Sequence, residues 1–220
     1  AELLMNKKGN NYIPLIVMLL VAAVVVILLL TGKLNVERII DAVRDNKTTA
    51  LLVILALYVL KGFSFGVPYP AIAVGAAMVF GITPAIAINA VGTALCLTAS
   101  YTVGRFSKGI SFDGLMEKYP KLAPYFQNVV SYGFTLCFTT HALHLQMEAQ
   151  GVIYGIVRTD YGKYITGSML AMLPQFLCYT VIGDRRDLTD PAVLLFLVLD
   201  IILIISGLLL AKKKLFNKKN

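Results

Sequence analysis

Two histidines and a glutamate, His141, His144 and Glu148, interrupt an otherwise apolar stretch between Tyr132 and Gly155. If that stretch is helical, offsets of three and seven residues turn about 300° and about 700°, so the three side chains share a face roughly 60° wide. Imidazole titrates near neutral pH, and an ionisable group inside a membrane costs about 2.5–3.5 kcal/mol on insertion scales. A cluster kept at that cost is suited to coupling protons or to holding a charged substrate such as a lipid phosphate. The same trio also offers three ligands of the kind that hold a divalent metal. The structural alternative is a polar plug satisfied between neighbouring elements. Asp200 lies in the middle of another apolar run, between Leu199 and Ile201, and needs a partner in the bundle. Arg105 and Arg158 stand where apolar segments end, and serve equally well to grip an anionic head group or to anchor the chain at the membrane surface.

Composition fixes what must position these residues. Of the 220 residues, 58% are hydrophobic and 15% charged, and the mean hydropathy is +0.76. Apolar runs of about 20 residues recur along the chain, which describes an all-α polytopic membrane protein and excludes a soluble domain. The three cysteines, Cys96, Cys137 and Cys178, all fall in apolar segments and have neither metal-ligand nor disulfide-framework spacing. No nucleophile elbow, phosphate loop or zinc-protease motif is present, so neither an enzyme nor a bound cofactor is expected.

Along the chain, Ala1–Leu4 precede Met5 and read as an addition ahead of a natural start, with residues 1–11 forming a tail. Tyr12–Thr31 predicts a first span, Gly32–Lys47 an amphipathic interfacial helix, and Thr48–Leu60 a short second span, which together make a unit over residues 12–60. Gly62–Gly81 is apolar but broken at Pro68 and Pro70, which points to a re-entrant hairpin, since non-helical backbone at membrane depth must be covered by protein or water. Ile82–Gly104 is long enough to cross. Arg105–Ser131 is polar and basic and stays outside the bilayer. Tyr132–Gly155 reads as a second hairpin, Tyr164–Gly183 and Ala192–Ala211 as the last crossings, and five lysines close the chain. That makes about five transmembrane helices and two hairpins. Residues 61–183 form the central unit, and 184–220 carry the last span and a basic tail.

A weak internal repeat fits this division. Val79-Phe80-Gly81 and Tyr101-Thr102-Val103-Gly104 in the first half match Ile153-Tyr154-Gly155 and Tyr179-Thr180-Val181-Ile182-Gly183 in the second. Each half holds one hairpin and one crossing, so the halves have opposite orientation and predict an inverted repeat. With the tail lysines cytoplasmic and the N-terminus outside, Lys7, Lys8, Lys61, Arg185 and Arg186 lie outside and the other fifteen of the 20 basic residues lie inside. The net charge of +8 is thus an orientation signal, and no nucleic-acid module accompanies it.

The run Phe63-Ser64-Phe65-Gly66-Val67-Pro68-Tyr69-Pro70, followed by Gly75, Phe80-Gly81, Gly92 and Tyr101-Thr102-Val103-Gly104-Arg105, resembles the signature of the DedA and VTT-domain superfamily, also called the SNARE-associated Golgi protein family. The likeness covers residues 61–105 and extends more loosely to Gly183. It implies opposed re-entrant hairpins and movement of lipids between leaflets of the cell membrane, with polyprenyl phosphate or a glycerophospholipid as substrate. Apart from the resemblance, the expected partners are membrane lipids and a second copy of the chain in a homodimer. Family members usually carry an acidic residue in the first hairpin and an Arg followed by prolines in the second. Here the first break is flanked by apolar, Ser and Tyr side chains, and the second has Thr140 or His141, Leu143 and Gln146 at those places. Besides the lipid transporter, a proton-coupled ion or divalent-metal transporter built on His141, His144 and Glu148 and a non-transporting membrane scaffold remain as readings.

Overall fold

The computed structural model describes residues 46–64, 67–107, 117 and 129–211. The expected first span and interfacial helix lie outside them. Seven helices and no strands are found among the described residues: α1 (Lys47–Phe63), α2 (Tyr69–Phe80), α3 (Ile82–Phe106), α4 (Val129–Ala142), α5 (Met147–Ile156), α6 (Tyr161–Arg185) and α7 (Pro191–Ala211).

Local chemistry sets each boundary. Asn46 caps α1, its side-chain oxygen accepting from Thr48 N at 2.9 Å and Thr49 N at 3.2 Å. The helix stops at Phe63, and the chain is extended at Ser64. Pro68 and Pro70 do not break a helix; they start one, standing at the N-cap and in the first turn of α2, where a missing N–H has no intrahelical partner to lose. Within the expected 62–81 segment α1 ends at Phe63 and α2 is a single helix of 12 residues that starts at Tyr69. Gly81, at φ 75°, ψ 171°, turns α2 directly into α3 in a conformation closed to side chains. The second polar stretch behaves as two helices, with α4 ending at Ala142, a turn over residues 143–146, and α5 of 10 residues.

Among the described residues three helices are long and apolar enough to cross a membrane: Ile82–Phe106, Tyr161–Arg185 and Pro191–Leu209. These are three of the five expected crossings; α1, at 17 residues, falls short of that length. The last is the most exposed, with Leu195 at 56%, Ile201 at 55% and Leu209 at 62%. Side chains like these are at home against acyl chains and would be costly in water.

The helices interlock between halves. α1 lies on α3 and α4 on α6, while each short helix crosses over: α2 packs on α6 and α5 on α3. The close approaches fall on glycines. A Cβ at Gly104 would land on the Val152 carbonyl, one at Gly155 on the Tyr101 carbonyl, and one at Gly183 on the Val74 carbonyl. One amide ties four helices together: Asn89, fully buried on α3, accepts from Tyr58 Oη at 2.8 Å and donates to Ala73 O at 3.1 Å and Thr180 Oγ1 at 2.8 Å.

Candidate functional site

The break between α1 and α2 and the turn between α4 and α5 border one cavity of about 230 Å³. α1 delivers Lys61, the start of α2 delivers Tyr69 and Pro70, and α4, the turn and α5 deliver His141, His144, Leu145, Gln146, Met147 and Glu148; Met172 and Gln175 of α6 close it. Three of the expected site residues thus line the same space. They do not share a helical face, because α4 ends at Ala142 and His144 sits in the turn with φ 53°.

Each is also committed to a different partner. Glu148, 2% exposed, forms an ion pair with Lys61, itself 8% exposed. His144 Nε2 stands 3.2 Å from both carboxylate oxygens of Asp200, which supplies the bundle partner that Asp200 requires. His141 Nδ1 lies 2.9 Å from the Cys137 carbonyl and 3.2 Å from Ser168 Oγ. A carbonyl only accepts, so Nδ1 is the donor, and in a neutral ring Nε2 is left as an acceptor. That Nε2 is buried with no hydrogen-bond partner among the described residues. A metal site on His141, His144 and Glu148 is not formed: among the described residues no three His, Cys, Asp or Glu side chains come together to hold an ion. The turn separates the donors, and each faces a different neighbour.

Lys61 is a site residue that sequence reasoning missed. Counted there only as a charge on the outer side of the membrane, it is buried and paired. Its signal was available: a lone lysine between Leu60 and Gly62 inside a long apolar region needs a counter-charge. Asn89 was missed in the same way, as a single amide within an apolar span.

Arg105 and Arg158 are brought together elsewhere, in the wall of a second cavity of about 530 Å³ shared with Tyr101, Thr159, Asp160, Tyr161 and Lys163. Aromatic rings separate the two spaces. Tyr101 lines the larger cavity and stacks on the fully buried Tyr164 at 5.0 Å between centroids, and Tyr164 meets His141 of the smaller cavity at 6.0 Å.

Among known families, the model of the VTT domain matches residues 67–185, from the break before α2 to the last residue of α6. The chain belongs to the VTT-domain family. The match covers both halves, including the second, where the motif resemblance was loose. No curated protein and no solved structure matches the chain. VTT-domain proteins are membrane-associated and commonly linked to transport, and the described residues, all-helical with three span-length helices, agree with a membrane protein. In the buried pair the carboxylate, Glu148, lies within the matched residues, and the cation, Lys61, comes from α1 ahead of them.

Proposed function

We propose that this protein is a lipid transporter, a flippase or scramblase that moves an anionic head group between leaflets of the cell membrane while the acyl or prenyl tails stay in lipid. Polyprenyl phosphate is the first substrate class and a glycerophospholipid the second. One observation carries the reading: a cavity with charged lining lies where two interrupted helical elements meet in an otherwise apolar bundle. In this reading the α1–α2 and α4–α5 units enter the bilayer as re-entrant hairpins from opposite faces, with the N-terminus outside and the lysine tail cytoplasmic. The crossed packing of α2 on α6 and α5 on α3 supports an inverted repeat, since an inverted pair exchanges equivalent contacts. Lys61 offers the cation for a phosphate, Gln146 and Gln175 offer amide donors, and Glu148 competes with the substrate for the amine.

Reconstitution tests it. Purified protein in vesicles is expected to bring head-group-labelled polyprenyl phosphate or phospholipid to the opposite leaflet faster than protein-free vesicles do. Indistinguishable rates at both neutral and mildly acidic pH would overturn the reading.

A further inference from the structure

The proposed pathway leaves one charged contact unused, at the wall of the smaller cavity. We infer that His144 and Asp200 form a pH-responsive latch between the α4–α5 turn and α7, closed while the imidazole is protonated and released when it is neutral, so that the cavity opens toward lipid. The inference rests on the transport reading only for what the opening admits, a lipid head group.

The pattern of α7 isolates the aspartate. Its inward stripe runs Val193, Phe196, Asp200, Leu203 and Gly207, at the alternating three- and four-residue spacing of a helix packed along one face. Val193 and Phe196 pack with Cys178 and Val181 of α6, and Leu203 packs on Phe138, Ala142 and Ala171. Asp200 is the one charge in this stripe, its side chain 13% exposed, and both of its oxygens stand 3.2 Å from His144 Nε2. Asp200 lies beyond the matched residues 67–185, so the contact ties a helix outside the VTT domain to a turn inside it.

The turn is built to present the histidine. His144 takes a left-handed conformation, φ 53°, that favours glycine, yet it carries the side chain that reaches α7. Gln150 Nε2 donates to Leu145 O at 2.8 Å, which couples the turn to α5, the helix that holds Glu148. The imidazole also lines the cavity, so it stands between that space and α7.

Protonated, the pair is neutral overall and its hydrogen bond is charge-assisted. A neutral imidazole leaves the carboxylate charged in apolar surroundings with one uncharged donor, and the carboxylate then gains by reaching water. Parting of the turn from α7 supplies that water. The other titratable groups around the pair are Lys61, Tyr69, His141 and Glu148 on the cavity wall, with Cys178 and Tyr179 of α6 near enough to feel the Asp200 charge. None of them replaces the imidazolium. Lys61 is paired with Glu148, His141 is turned to the Cys137 carbonyl and Ser168, and phenols and thiols carry no positive charge in either state.

Spin labels on Leu145→Cys in the turn and Leu197→Cys on α7, both exposed positions, report the gap by pulsed electron resonance on the full chain in phospholipid nanodiscs. The native cysteines are buried. Distances are taken at about pH 5.5 and about pH 8, on either side of the range in which imidazole ordinarily titrates. The parent protein is expected to show a longer distance at the higher pH. His144→Asn suits a left-handed position and keeps an amide donor but takes up no proton, so the pH dependence should vanish. Asp200→Asn removes the charge that a neutral imidazole leaves unbalanced, so the short distance should persist at the higher pH, and this variant decides the matter if His144→Asn fails to fold. A parent distance equal at both pH values, a pH response that survives in His144→Asn and so belongs to His141, or an Asp200→Asn protein that lengthens like the parent would overturn the inference. A pH-dependent distance without lipid movement in vesicles would count against the proposed function alone, and lipid movement with an invariant distance against the latch alone.

Discussion

The Lys61–Glu148 pair concentrates the energetic question at the residue scale, because a buried ion pair stabilises little by itself yet is damaging when halved. Removing one partner strands a charge in low dielectric, at a cost of about 3–5 kcal/mol, whereas replacing both with apolar groups is often neutral. Lys61→Met and Glu148→Leu are each expected to lower the unfolding temperature in detergent, and the double variant is expected to recover it. If the pair serves transport, the double variant stays folded and moves no lipid. A double variant that transports normally would make the pair a structural element. The chemistry of His141, His144, Glu148 and Asp200 was visible in their residue types, since ionisable groups in apolar runs announce themselves. Their pairings were not. Lys61 finds its counter-charge in the other half of the molecule, and no local spacing encodes that.

At the scale of elements, glycine sets the distance between α3 and α5. Gly104, Gly151 and Gly155 bring the two helices so close that an added methyl would meet the Val152 carbonyl, the Ser100 hydroxyl or the Tyr101 carbonyl. Gly155→Val must push α5 off α3, and backbone atoms cannot yield as a flexible side chain would. The expected outcome is a large loss of thermal stability and a lower yield of monodisperse protein in size-exclusion chromatography. Gly75→Ala is the matched control: open space surrounds its Cβ, and alanine is the better helix former by about 1 kcal/mol, so stability should hold or rise. The long helices were legible from apolar length alone, and the expected Ile82–Gly104 and Tyr164–Gly183 agree with α3 and α6 within a few residues. In 62–81 the interruption was legible, but the role of its prolines was not. Proline was taken as an interruption, yet at the first turn of a helix it is tolerated, and hydropathy does not distinguish the two situations.

For the whole molecule, α3 and α6 run antiparallel: Tyr101 near the end of α3 lies 5.5 Å from Tyr161 at the start of α6, while Gly81 ahead of α3 approaches Asp184 near the end of α6. Arg105 and Arg158 therefore occupy one end of the bundle and Arg185 the other. Cysteine substitutions at Arg158 and Asp184 are expected to react with a membrane-impermeant thiol reagent from opposite sides in intact cells and inverted vesicles, with Arg158→Cys cytoplasmic. Labelling of both from one side would refute this orientation. The native Cys96, Cys137 and Cys178 are buried and should give little background. The crossed helix packing has a further consequence for biosynthesis. While the ribosome is still making the second half, α3 has an empty groove at Gly104 and Lys61 is an amine in lipid without its carboxylate, a burden of about 2.5–3.5 kcal/mol. The nascent first half needs shelter from the insertion machinery until α5 emerges, and severed halves should survive only when translated together.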